Sequence, residues 1–251
     1  MNYKGEKNYW LQDIDRMNKF KGVLSGSLLI LVISYLFYGS VLAAIFLSPS
    51  LFFYMKYWKR NQEEKQRADF RLQFREGIQA ISASLQVGYS AENALKEAIV
   101  DLQLIYPKDT RILREFRFMI HQMDMNISME QSFTELGKRT GEEEVQTFAT
   151  VFALSKRTGA DMIEIIRNAV WQIGEKIEAK HEIDAMLTAK KVEFRVMSLV
   201  PLGMICYMKI AFPHFLDVLY GNLLGIVVMS ICLFVYAASY IWGKHMMEIE
   251  V

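Results

Sequence analysis

Residues 22–55 read GVLSGSLLILVISYLFYGSVLAAIFLSPSLFFYM, 34 positions from Gly22 to Met55 without one charged side chain. An uncharged apolar run of about 18 residues or more is the signature of a membrane-spanning helix. At about 1.5 Å of rise per residue, 34 residues would make a helix about 51 Å long, against a hydrocarbon core of about 30 Å. Two short spans, roughly 22–37 and 40–55, use that length better than one strongly tilted span, with Tyr38, Gly39 and Ser40 as the reversal. Pro49, between Ser48 and Ser50, is placed to kink the second span. Basic residues flank both sides: Lys4, Lys7, Arg16, Lys19 and Lys21 before the run, Lys56, Lys59, Arg60, Lys65 and Arg67 after it. Since Lys and Arg favour the cytoplasmic side, both flanks are expected inside, and the run is expected to cross twice.

The C-terminal part repeats the pattern. No charge occurs in the 26 positions from Val218 to Gly243. A third span is expected over 196–212, a short outer loop over 213–221 and a fourth span over 222–243. The stretch His214-Phe215-Leu216-Asp217 lacks Lys and Arg, as an outer loop should. Lys190, Lys191 and Arg195 mark the cytoplasmic start of this second hairpin, and Lys244 its return. Trp10, Trp58 and Trp242 fall near the expected headgroup levels and read as interfacial anchors. Lys209, the one basic residue within the spans, is expected to snorkel to the outer interface one turn away rather than to form a polar site in the bilayer.

Composition elsewhere is that of an ordinary folded chain. Of 251 residues, 23% are charged and 13% aromatic, which excludes a disordered tail. From Lys59 to Glu193 there are 20 basic and 22 acidic residues, a net of 20 − 22 = −2, with the signs mixed throughout. A nucleic-acid binder would carry a basic face, so no nucleic-acid partner is expected. Cys206 and Cys232 lie in apolar runs, with no CxxC pair and no disulfide framework. The first apolar run is too long for a cleavable signal peptide and has no small-residue cleavage site.

Between Trp58 and Lys191 there is one proline, Pro107, and apolar residues recur every three or four positions. Phe70, Phe74, Ile78, Ile81 and Leu85 make one stripe; Ile163, Ile166, Val170, Ile173 and Ile177 make another. Both read as core faces of helices. Punctuation divides the region into about six helices. The first ends at Gly88. Ser90 opens a second, which stops before Pro107, and a third covers 109–123. Ser128 caps a fourth with Gln131 placed for a capping box, and that helix ends at Gly141. Glu142, Glu143 and Glu144 open a fifth, where carboxylates suit the positive end of the helix dipole. It stops at Gly159, and Asp161 begins a long sixth helix that leads to the third span.

A short pattern occurs twice. Val87-Gly88-Tyr89-Ser90-Ala91-Glu92-Asn93-Ala94-Leu95 aligns with Met125-Asn126-Ile127-Ser128-Met129-Glu130-Gln131-Ser132-Phe133. Both read αL-tolerant residue, apolar residue, Ser cap, Glu, small residue, large apolar residue. Lys138-Arg139-Thr140-Gly141 is echoed by Lys156-Arg157-Thr158-Gly159. These features read as a helix–turn–helix unit used more than once, and Gly88, Ser90, Asn126, Ser128, Gly141 and Gly159 as its structural positions. The expected organisation is all-α: a cytoplasmic N-terminal segment (1–21), a transmembrane hairpin (22–57), a cytoplasmic helical bundle (58–193), a second transmembrane hairpin (194–243) and a cytoplasmic tail (244–251).

Catalytic signatures are missing. Gly137-Lys138-Arg139-Thr140 has the tail of a phosphate-binding loop, but Ser132 stands at the first glycine position and a helix, not a strand, precedes it. His121, His181, His214 and His245 are widely separated and lack ligand spacing, and no GxSxG or HExxH pattern occurs. No enzyme activity, cofactor or metal is expected.

From about Phe70 to the C-terminus the chain resembles the type II secretion system F family, the polytopic platform proteins of type IV pilus and secretion machines, and among them the Tad-type members. The resemblance rests on Gly88-Tyr89-Ser90 followed by Ala94-Leu95, on Met129 to Phe133, and on Leu136-Gly137-Lys138-Arg139-Thr140-Gly141. Gly159 followed by Asp161 to Ile166, the helix leading into the membrane and the paired spans complete it. Asn126 stands where the family commonly has glycine. The resemblance covers one F domain, not a tandem pair. It implies a non-enzymatic, multi-pass protein of the cytoplasmic membrane, with both termini and residues 58–193 in the cytoplasm. The implied partners are a hexameric secretion ATPase and pilin subunits in the lipid bilayer, with a homo- or hetero-oligomeric assembly; a second, paralogous platform protein stays open. Within that reading, Arg71, Arg75, Arg111, Arg114 and Arg117 are the expected exposed charges facing the ATPase. The alternatives are a small membrane-transporter component and a membrane-tethered signalling adaptor. The first would place polar groups at mid-bilayer and repeats in the spans, and the second would tolerate replacement of the spans.

Overall fold

A computed structural model describes residues 9–10, 16–40, 43–158, 162–212, 220 and 222–247. The described residues form eight helices and no strand: α1 (Arg16–Tyr38), α2 (Ala43–Val87), α3 (Ala91–Ile105), α4 (Arg111–Asp124), α5 (Met129–Thr140), α6 (Glu143–Thr158), α7 (Met162–Ala211) and α8 (Leu223–Met247). They fall into two compact units. One is a helical unit of Arg60–Ala179 with Met1–Ile14, of which Tyr9 and Trp10 are described; the other is an apolar unit of Asp15–Lys59 with Lys180–Val251.

The helical unit is built on the stripes expected of it. Phe70, Phe74, Ile78, Ile81 and Leu85 line the buried face of α2, and Ile166, Val170, Ile173 and Ile177 that of α7. Ile163 departs from the second stripe: it is 37% exposed, one turn before the buried run begins. Phenylalanines fill the centre. Phe74 and Phe133 each meet Phe148 edge-on, with ring centroids 5.9 and 4.9 Å apart, geometries that add to plain burial. Gly77 lets Phe116 come close, since a Cβ there would stand 2.8 Å from the ring.

The turns follow local chemistry. Gly88 (φ 101°) ends α2 and Asn126 (φ 63°) follows α4, both in the left-handed region. The two turns carry the same hydrogen bonds. The Gly88 and Asn126 amides donate to Leu85 O and Met123 O, and the next amides, Tyr89 and Ile127, reach back five residues to Ser84 O and Gln122 O. This closure satisfies carbonyls that the helix end leaves without donors. Ser90 and Ser128 then cap α3 and α5, each Oγ accepting from the amide three residues on at 3.4 Å. Gly141 (φ 66°) ends α5. Gly159 and Asp161, expected at the next boundary, lie outside the described residues.

Two expectations are corrected. The first helix of the bundle is not separate from the second apolar segment, because α2 runs unbroken for 45 residues through Pro49 to Val87. Residues 56–69 contain no glycine or proline, and the ion pairs Arg60–Glu64 and Arg67–Glu63 join successive turns. The sixth helix, read as leading to the third apolar segment, does so: the two are one element of 50 residues, α7, with Pro201 inside it. Trp10 is not an interfacial anchor. It is fully buried in the core of the helical unit, edge-on to Phe70 at 5.5 Å, with its indole N–H donating to Thr140 O at 3.1 Å.

In the apolar unit, α7 and α8 are long and apolar enough to cross a membrane, judged by length and composition. The apolar stretch of α1, Gly22–Tyr38, is shorter. Close approach between α1 and α2 depends on glycine. A Cβ at Gly22 would lie 2.9 Å from the Trp58 ring, and one at Gly26 2.7 Å from Tyr54. Two glycines four apart present the flat face on which apolar helices pack. Trp58 therefore packs on α1, while Trp242 stands exposed on α8. Leu28, Leu224, Phe234 and Ile241 are also exposed, as surface facing hydrocarbon would be.

Candidate functional site

Helix α4 carries the densest basic strip, with Arg111, Arg114 and Arg117 on successive turns. No acidic residue stands in its first turn, and Thr110, at the N-cap, makes no capping bond to the helix. A cation beside the positive end of a helix dipole costs roughly 0.3–1 kcal/mol, which applies to Arg111 in the first turn, whereas Arg117 stands in the second. Sequence features that break a local rule mark functional or strained positions.

The five arginines expected as exposed charge divide into two groups. Arg114 and Arg117 are exposed, and Arg117 Nη1 donates to Lys108 O at 3.0 Å. Arg71, Arg75 and Arg111 are half-buried, which corrects their assignment to a solvated face. Arg71 donates to Glu142 Oε2 at 3.2 Å and Arg75 pairs with Glu178. Arg111 donates to Gln66 Oε1 at 3.2 Å, and its guanidinium lies 4.9 Å from the Tyr9 ring and 4.7 Å from the Trp10 ring.

Two carboxylates organise the polar part of the helical unit. Glu142 is 4% exposed and receives Arg67 at 2.9 Å as well as Arg71. A buried carboxylate is stable only when paired, and two guanidiniums supply that pairing. The expected role of the 142–144 triplet, a helix start, holds for Glu143 and Glu144 in the first turn of α6. Glu142 precedes the helix and serves α2 instead. Glu115 accepts from the Tyr9 hydroxyl at 2.7 Å and pairs with Arg139. Burial first, and then the Glu115 charge and hydrogen bond, push the Tyr9 phenol far above its ordinary value. Tyr106 is pushed up to about 12 by burial and by its hydrogen bond to Glu76. No sequence motif announces Glu115, and the triplet that contains Glu142 reads only as a helix start; the arginine partners of both come from other helices.

In the apolar unit, Lys209 does not simply extend along the helix. Its ammonium donates to Tyr35 O at 2.6 Å in the last turn of α1, 3.6 Å from the centre of the Tyr35 ring and 4.9 Å from that of Tyr220. The Tyr220 hydroxyl donates to the neighbouring Leu36 O. A cation at the carbonyl end of α1 complements its dipole. Nearby, the Tyr38 and Ser230 hydroxyls share a 2.9 Å bond.

Among the described residues, no group of three or more His, Cys, Asp or Glu gathers as a metal site. Of the structural positions, Gly88, Ser90, Asn126, Ser128 and Gly141 sit at turns and caps and are not brought together as a site. No family model, curated protein or solved structure matches the chain.

Proposed function

We propose that the chain is a non-enzymatic platform protein of the cytoplasmic membrane. In this reading it crosses the bilayer four times, through α1, the start of α2, the end of α7 and α8. Both termini and the helical unit then face the cytoplasm, and the helical unit uses one helix–turn–helix pattern twice. It serves a type IV, Tad-type pilus or a type II secretion machine, coupling a hexameric cytoplasmic ATPase to the handling of pilin subunits in the membrane.

The observation that carries the reading is the continuity of α2 and α7, each of which passes without a break from apolar sequence into the helical unit. Helices of this kind suit a protein that transmits displacement generated by a partner. The matching turns at Gly88 and Asn126 support the reuse of one unit. The resemblance in residue pattern from about Phe70 to the C-terminus supports this class of machine. Arg114 and Arg117 are the basic residues best placed to meet an acidic partner surface, since both are exposed on α4.

Purification of the tagged protein from its native cells in mild detergent, followed by mass spectrometry, tests the proposal. A P-loop ATPase and a pilin-like single-span protein are expected in the eluate. Arg114→Glu with Arg117→Glu is expected to lower ATPase recovery by about tenfold while leaving the thermal midpoint within about 2 °C of wild type. Undiminished ATPase recovery from the double variant would overturn the arginine assignment. A soluble regulator in place of both partners would favour a tethered adaptor.

A further inference from the structure

Trp10 joins the core of the helical unit but meets polar partners there. The indole is completely buried, yet three polar groups meet it. Its N–H meets Thr140 O, the carbonyl of the last residue of α5, which lies beyond the reach of the helix's own donors. Arg67 and Arg111 approach the ring at 5.1 and 4.7 Å, and Phe70 meets it edge-on. Next to it, Tyr9 reaches Glu115.

Each wall of this seat is held by contacts that do not involve Trp10. Arg67 is fixed by Glu63 at 3.1 Å and Glu142 at 2.9 Å, and Arg111 by Gln66 at 3.2 Å. Phe70 stacks on Phe74, Glu115 is paired with Arg139, and Thr140 Oγ1 donates to Leu136 O at 2.9 Å. Such walls keep their geometry when the ring is absent. An emptied seat would present two guanidiniums that have lost the indole face and a carbonyl that has lost its donor, and both deficits are repaired by one chemical group, an indole. The resident indole comes from far away in sequence, 130 positions from Thr140.

We propose that the helical unit contains a preformed recognition site for a tryptophan-bearing peptide segment, that the chain's own Tyr9–Trp10 pair occupies it in cis, and that these two residues act as a releasable clasp. The occupant is this chain's N-terminal pair; another tryptophan-bearing segment would act by displacing it. This inference does not depend on the identity of the machine.

Cavity rescue in the full-length protein tests it. Trp10→Gly is expected to lower the thermal midpoint, and added indole to restore it in a dose-dependent way. Benzofuran, which has the same shape but no N–H donor, is expected to need roughly tenfold more for the same effect, the worth of one hydrogen bond. A folded Trp10→Gly protein that does not respond to indole, or responds equally to benzofuran, overturns the proposal. Should that variant fail to fold, the wild-type side chain can be kept and a protease site placed within residues 11–15. After cleavage the tagged N-terminal fragment is expected to stay bound. A synthetic peptide of residues 5–14 should release it at about tenfold lower concentration than the same peptide with Trp10→Ala. Immediate loss of the fragment on cleavage, or equal release by both peptides, overturns it as well.

Discussion

Glu142 and Glu143 are neighbours of identical chemistry with different roles. Glu142 is buried between Arg67 and Arg71, whereas Glu143 meets Lys176 at 2.8 Å with most of its side chain in water. Removing one partner of a buried charge network costs the desolvation of what is left, about 2 kcal/mol when the remaining arginines keep partial access to water. An exposed pair is worth roughly 0–1 kcal/mol. Glu142→Gln is therefore expected to lower the thermal midpoint of the detergent-solubilised protein by about 5 °C, and Glu143→Gln by about 1 °C. Equal shifts would show that Glu142 is not a buried partner. This contrast was not legible in the sequence, because the triplet offers three equivalent carboxylates, of which the fold buries Glu142 and Glu144 and leaves Glu143 exposed. The same holds for the five arginines. Charge is read directly from sequence, but whether a guanidinium faces solvent or Glu142, Glu178 or Trp10 depends on residues up to about a hundred positions away.

Helix boundaries were legible wherever a local rule sets them. Ser90, Ser128, Gly88 and Gly141 stand at caps and turns as their chemistry requires, and Asn126 takes the left-handed conformation that glycine holds in the matching turn. A residue with a Cβ in that region costs about 1 kcal/mol, less for Asn than for most others. Asn126→Gly is accordingly expected to leave the thermal midpoint equal or slightly higher, and Asn126→Ala to lower it by roughly 1 kcal/mol of stability. A drop on introducing glycine would mean that the Asn side chain contributes more than its backbone tolerance. What the punctuation did not convey was the continuity of α2, whereas the helix from Asp161 already reads as leading to the third span. The change from apolar to charged sequence near Lys56 suggests a boundary, although no breaker stands there. A helix needs only its own backbone bonds and can change solvent along its length without ending.

For the molecule as a whole, sidedness is the decisive property. The four-span reading puts Lys96 and Lys138, both exposed on the helical unit, on one side of the membrane and Asn222, before α8, on the other. With Cys206 and Cys232 replaced by alanine, single cysteines at Lys96, Lys138 and Asn222 report this directly. A membrane-impermeant maleimide applied to intact cells is expected to label only Asn222→Cys, and the other two only after lysis. Labelling of Lys96→Cys in intact cells would place the helical unit outside and overturn the cytoplasmic assignment. The basic flanks Lys56, Lys59 and Arg60 and the absence of Lys and Arg in 214–217 are the basis of that expectation.

By itself the sequence determined the all-helical class, the two apolar segments able to form spans over 196–211 and 224–243, and the stripes that became the core of α2 and most of α7. Uncharged length and three-to-four periodicity are properties of contiguous residues, so they are fully present in the chain. The tertiary structure alone decided that Trp10 belongs to the core rather than to the membrane surface, that Arg71, Arg75 and Arg111 have partners inside the chain, and that Lys209 reaches the carbonyl end of α1. Each of these depends on partners 71 to 174 positions apart, or on Tyr9–Trp10 meeting α4, and such meetings are settled by how helices pack, not by any pattern along one of them.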